Sequence, residues 1–220
     1  MHFTIFTLFP DMFPASLGYS LAGEALKAKK WDYHTVNIRD FGIGKHKNVD
    51  DTPYGGGAGM VIRADVLGNA IESAQKMPLL YLSPRGKPLT QAKVQQLATL
   101  PQIGLICGRF EGIDERVLEY YKIEEISIGD YILSGGEPAA LILMDSIIRI
   151  LPDVIGNQET HSEESFSNNL LEYPHYTRPA IWQELAVPDV LSSGNHAEIA
   201  KWRKQKSVEI TKKVRPDLLG

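Results

Sequence analysis

Apolar positions along this chain change period repeatedly through the first 150 residues. Phe3 to Phe9 is a β-rich apolar run stopped by Pro10, after which Leu17, Leu21 and Ala25 recur at helical spacing up to Lys29 or Lys30. His34 to Ile38 alternates as a strand, and Leu67, Ile71 and Ala74 share one face of a helix over Ala64 to Gln75. A short buried strand is predicted at Leu79 to Leu82, followed by a helix to Ala98 with Thr90 as its N-cap. The pattern then gives a strand at Ile103 to Cys107, a helix over Glu115 to Tyr121 and a strand at Ile123 to Ile128. Pro138, which suits a first helical turn because its missing N–H has no partner there anyway, opens a helix to Ile150. Strand and helix alternating in this way predict an α/β fold, a mostly parallel sheet with helices on both faces. The helix after Pro138 is apolar nearly all round, so it belongs in the core or in a subunit interface.

The pattern breaks at Gly156. Residues 156–169 are polar with almost nothing to bury, the signature of a linker or of a loop that orders on binding. A small region follows, with the proline-bracketed Pro174-His-Tyr-Thr-Arg-Pro179 and then Asn195-His-Ala-Glu198, an N-cap with glutamate three residues on, opening a helix to about Lys212. The expected organisation is a ligand-binding domain over 1–155, a flexible polar linker over 156–172 and a small helical domain over 173–220.

Composition narrows the class. Of the 220 residues, 43% are hydrophobic and 23% charged, as in ordinary soluble proteins, and no apolar run approaches the length needed to span a bilayer. The N-terminus has no basic segment or cleavage site of a signal peptide, and a single cysteine, Cys107, fits a reducing cytosol. Cys107 ends an apolar run and reads as an inert core thiol. Six histidines without HxxxH or HExxH spacing argue against a structural zinc site. The net charge of −4 is uneven: from His196 to Gly220 seven basic residues face three acidic ones, leaving +4 there and −8 elsewhere. A basic end on an acidic body suits phosphate contact, although a solvated helix face would look the same.

Glycine marks the candidate chemistry. Three glycine-rich loops, Pro53 to Met60, Cys107 to Arg116 and Ile128 to Pro138, are expected at strand ends of one parallel sheet, where such sheets bind ligands. None carries the dinucleotide spacing GxGxxG. Arg149, four residues after Asp145, has the spacing of a helix ion pair, yet at the end of an apolar helix it could also grip an oxyanion or a phosphate. Glu159, Glu163 and Glu164 are surface carboxylates by default. They become chemistry only if a mobile loop must deliver a base, as when a ring nitrogen loses its proton while accepting a methyl group.

Eight ordered segments add a resemblance that runs from end to end. Phe9-Pro-Asp-Met-Phe13, Tyr54-Gly-Gly-Gly57, Tyr81-Leu-Ser-Pro84, Gly108-Arg-Phe-Glu-Gly-Ile-Asp-Glu-Arg116, Ser127-Ile-Gly-Asp-Tyr131, Ser134-Gly-Gly-Glu137, Pro174-His-Tyr-Thr-Arg-Pro179 and Ser192-Ser-Gly-Asn-His-Ala-Glu-Ile199 resemble the TrmD-type tRNA (guanine-N1-)-methyltransferases of bacteria. The resemblance implies a trefoil-knotted SPOUT fold, a cytoplasmic homodimer, and methyl transfer from S-adenosylmethionine to N1 of the guanosine just 3′ of a tRNA anticodon.

By the same resemblance the cofactor would lie among Tyr81, Leu82, Ser83, Pro84, Gly108, Ile128, Gly129, Asp130, Tyr131, Ile132, Leu133, Gly135 and Gly136. Glu111 would stand near its methionine end or near an assisting Mg²⁺. Arg149 would act at the guanine, and Glu164 would be the general base, with Glu163 in reserve. The basic C-terminal helix, with Trp202 and Arg203, would hold the tRNA backbone. This chain departs from the family pattern in having Glu164 where aspartate is usual before Ser-Phe, Asn168-Asn169 where glycine is common, and Glu172 where aspartate is frequent. It also stops sooner than many relatives. The alternative reading is a non-catalytic RNA-binding homologue that keeps the cofactor pocket.

Overall fold

A computed structural model of the chain describes residues 1–154 and 164–220. The chain forms two compact units, Met1–Gly156 and Asn157–Gly220. The first holds five parallel strands, β1 (His2–Thr7), β2 (Asp32–Asn37), β5 (Leu79–Pro88), β6 (Gln102–Ile106) and β7 (Glu124–Ser127), in the order β2-β1-β6-β5-β7. Helices α1 (Ser20–Lys27), α2 (Ala64–Glu72), α3 (Gln91–Ala98), α4 (Glu115–Tyr121) and α5 (Glu137–Ile148) follow strands in alternation, as the hydrophobic periods require.

Side-chain alternation along the strands divides the core in two. Phe3 and Ile5 of β1, with Ile103 and Leu105 of β6, join Trp31, Val94, Leu143, Met144 and Ile147 on the face covered by α1, α3 and α5. Phe6 and Ile106 turn to the other face and meet Val66, Leu67, Ala70, Val117 and Leu118 of α2 and α4. Burial on both faces explains why these strands are nearly continuous apolar runs. Each such side chain contributes about 1.5–3 kcal/mol through burial. Helix α5 is buried along most of its length, but Ile142 remains 47% exposed.

Two local expectations change. The strand beginning at Leu79 does not end at Leu82. It pairs with β7 through Leu80, Tyr81 and Leu82, leaves the ladder, and rejoins the same strand at Lys87 and Pro88. Pro84 looks like a terminator in sequence because it cannot donate to a ladder, and the ladder is indeed interrupted around it. Gly86 packs its α-carbon against the backbone of Ile126, where a Cβ has no room. The second change concerns Pro53 to Met60, which lies not at an end of the parallel sheet but between β3 (Asp50–Asp51) and β4 (Val61–Ile62) of a separate antiparallel pair.

In the second unit, β8 (Ile181–Trp182) and β9 (Leu185–Ala186) form a two-stranded hairpin, followed by α6 (Asp189–Ser192) and α7 (His196–Val214). The Asn195 side chain accepts from the N–H groups of Ala197 and Glu198, capping α7 as its sequence predicts. Buried Thr211 accepts from the Leu171 N–H at 2.8 Å and so ties residues 170–172 to α7. No helix among the described residues is long and apolar enough to cross a membrane.

Candidate active site

A cavity of about 400 Å³ opens at the carboxyl ends of β6 and β7, beside the stretch where β5 leaves its ladder. Ligands of α/β sheets bind at such ends. Three segments far apart in sequence supply its lining: Tyr81 to Arg85, Gly108 to Ile113, and Ile126 to Gly136 with Asp130 omitted. Of the fourteen residues the resemblance places at the cofactor, thirteen line this cavity; exposed Asp130 alone does not.

Glycine is required here for close approach rather than for turning. Gly136 N–H donates to the Gly108 carbonyl at 2.9 Å, drawing two loops together, and a Cβ on Gly136 would meet the Cys107 α-carbon at 2.8 Å. Backbone cannot yield as a side chain can. Gly136→Ala is therefore expected to lower stability by about 1–3 kcal/mol and to weaken cofactor binding. Thermal unfolding and calorimetry check this against Gly18→Ala, where the added carbon meets only Pro14 Cγ at 3.4 Å. Similar behaviour of the two variants would refute the close-packing argument.

The loop from Ile128 to Gly136 is held from within and from behind. Ser127 Oγ accepts from the Gly129 N–H, and the Tyr131 hydroxyl donates to the Ile128 carbonyl. Behind it, Arg109 Nη1 donates to the Ser134 carbonyl at 3.0 Å while its guanidinium lies 4.4 Å over the Phe9 ring. Arg109 Nη2 stands 2.9 Å from Oε2 of Glu137, a carboxylate with no solvent exposure, whose Oε1 accepts from Thr7 Oγ at 2.7 Å. An unpaired buried carboxylate would cost several kcal/mol, so these partners are what permit Glu137 to stay inside. Sequence reasoning missed this set. Its faint signal is an acidic residue opening a helix whose next seven residues are apolar.

Electrostatics around the cavity follow from burial. The Tyr81 hydroxyl is raised above its usual pKa, first by burial and then by the charge of Glu125. Burial would raise Glu125 too, but hydrogen bonds from Arg85 and Ser83 hold it below the usual carboxylate value. The Cys107 thiol, fully buried beneath the cavity floor, is pushed well up by burial and by Glu137. It is an inert core thiol, as its apolar setting suggests. Among the described residues, no cluster of three or more His, Cys, Asp or Glu is arranged to hold a metal ion.

The remaining candidates are not among the residues that line this cavity. Arg149 is the exposed C-cap of α5 and is not in the cavity lining; its backbone N–H donates to the Asp145 carbonyl. Glu164 belongs to the second unit, where with Tyr173, Arg203 and Lys204 it lines a separate hollow of about 490 Å³. Glu159 and Glu163 fall outside the described residues. Trp202 and Arg203 are half-buried: Arg203 lies 4.8 Å over the Tyr173 ring, and Trp202 packs on Tyr176. The glycine loop at Tyr54 and Gly55 lines a wider cleft of about 1280 Å³, beside Arg63 and Arg116, which are already paired with Asp51, Asp65 and Asp114.

Comparison with known proteins shows the family of the chain. The family model described as tRNA (Guanine-1)-methyltransferase TrmD matches residues 1–220. The chain belongs to this family. The tRNA (guanine-N(1)-)-methyltransferase of Roseobacter denitrificans is 58% identical over 219 residues, covering 97% of this chain and 91% of that protein. Those of Mesorhizobium japonicum and Brucella ovis are each 56% identical, covering 99% of this chain and 95% and 90% of their own lengths. Matches of this extent take in both units of the chain.

Proposed function

We propose that the protein transfers a methyl group from S-adenosylmethionine to N1 of the guanosine immediately 3′ of a tRNA anticodon, in the cytoplasm and as a homodimer. The observation that carries this reading is the convergence of three loops on one cavity in a chain of this family. The cavity falls within the range of small-molecule sites, and its glycines Gly108 and Gly136 let its walls pack closely against Tyr81 and the Cys107 backbone.

When bound, S-adenosylmethionine supplies an electrophilic methyl group on a sulfonium. The lining segments Tyr81 to Pro84, Gly108 and Ile128 to Gly136 would hold it, and it would supply the methyl taken up by guanine N1 and leave as S-adenosylhomocysteine. The N1 proton passes to a carboxylate, assigned to Glu164, and the charge growing on the neighbouring carbonyl oxygen is met by Arg149. Helix α5 runs from Glu137 beside the cavity to Arg149 at its far end, 12 residues that span about 18 Å. An arginine that far along the helix reaches a guanine at the cavity most simply if a second copy of the chain supplies it. Exposed Lys201, Lys204, Lys212 and Lys213 of α7 take the tRNA phosphates, since Trp202 and Arg203 are engaged with tyrosines.

The test is a transfer assay with labelled S-adenosylmethionine and an unmodified tRNA transcript, followed by nucleoside mass spectrometry. The expected product is 1-methylguanosine, abolished when that guanosine is replaced by adenosine. Cofactor binding without any product would overturn the reading in favour of an RNA-binding homologue. The assay is run with and without Mg²⁺, because Glu111, exposed at the rim, is the acidic side chain that lines the cavity.

A further inference from the structure

We infer that Glu137 is a positioning residue for the cofactor, acting through Arg109 on the loop that forms the cavity wall; the inference rests on the reading of that cavity as the S-adenosylmethionine site. Neither Glu137 nor its hydrogen-bond donor Thr7 lines the cavity, whereas Arg109, Ser134 and Gly135 do. The contacts join four elements: Thr7 ends β1, Glu137 opens α5, Arg109 follows β6, and Ser134 lies in the loop after β7.

The chain of contacts has a direction. Thr7 fixes one oxygen of the Glu137 carboxylate, and the other lies against Arg109 Nη2. The guanidinium is thereby set over the Phe9 ring, with Nη1 donating to the Ser134 carbonyl. Gly135 then rests against the guanidinium so closely that a Cβ would overlap it. A planar fork held at three points leaves the loop one position, and a loop already in its bound position spends less of its binding energy on ordering. A carboxylate buried solely for stability would be an expensive choice, because a well-packed apolar residue of similar volume commonly does as well.

The experiment compares wild type with Glu137→Gln and Thr7→Val, both close to isosteric. Binding of S-adenosylmethionine is measured by calorimetry well below the melting temperature, and turnover at saturating cofactor is measured on tRNA. Glu137→Gln loses the charge that aligns Arg109, and is expected to raise the cofactor Kd about tenfold or more, with kcat changed far less. Thr7→Val, which removes the hydrogen bond that fixes the Glu137 carboxylate, should shift Kd the same way by about threefold, and tests the same chain of contacts if Glu137→Gln does not fold. A Kd unchanged in the folded variants, whatever their melting temperatures, would overturn the inference, as would a fall in kcat without a change in Kd. Failure of wild type to bind the cofactor would overturn the assignment of the cavity, and this inference with it.

Discussion

Arg149→Ala is expected to reduce methyl transfer by about 100- to 1,000-fold while leaving the affinity for S-adenosylmethionine nearly intact. The split follows from position. Arg149 lies outside the cavity lining, at the exposed end of α5, so its loss removes no contact to a cofactor held there. Its proposed work is confined to the transition state, where charge gathers on the guanine carbonyl oxygen. Loss of such an interaction lowers kcat and kcat/KM together. Calorimetry alongside single-turnover kinetics separates the two effects, and equal loss of affinity and rate would end the assignment. The same variant tests the dimer. If a second copy supplies Arg149, mixing Arg149→Ala with a cavity-disabled variant such as Gly136→Ala should restore about a quarter of wild-type turnover, from mixed dimers with one intact site. No recovery after subunits are shown to exchange would mean that Arg149 serves its own chain.

What could be read from the sequence depended on how local each cause is. Thr90 and Asn195 were legible as N-caps because capping is settled within three residues, and both side chains accept the expected backbone N–H groups. Helix α4 occupies the predicted span Glu115–Tyr121, where an acidic first turn follows the Asp114 cap. The strand from Leu79 runs beyond the predicted end at Leu82 because its continuation depends on β7, some 40 residues on. The loop at Tyr54 resembled the other glycine loops in composition, and only the topology shows that it belongs to a different pair of strands. The Thr7–Glu137 contact joins residues 130 apart, and no pattern within a window could reveal it. Gly108 and Gly136 stood out because a missing side chain is visible in sequence. The reason it is missing, the Tyr81 ring against Gly108 and the Cys107 backbone against Gly136, is not.

Glu164→Gln is expected to slow transfer by about 100- to 10,000-fold, the usual worth of a positioned general base, with cofactor binding unchanged. Glutamine keeps the volume and one acceptor oxygen but cannot take a proton from guanine N1, so the comparison isolates proton transfer. Glu164→Asp tests the departure from the family pattern. The two carboxylates have similar intrinsic acidity, and what differs is one methylene of reach. In this chain Glu164 lines a hollow with Tyr173, Arg203 and Lys204, and its backbone carbonyl accepts from the Ser167 N–H, so the side chain projects from a local turn. A turn built to aim the longer side chain should make Glu164→Asp slower than wild type though far faster than Glu164→Gln. A turn that merely tolerates either residue should make Glu164→Asp equal to wild type. Rates are read under single-turnover conditions, where product release does not intrude. Wild-type speed in Glu164→Gln would remove this residue from the mechanism and pass the role of base to Glu163.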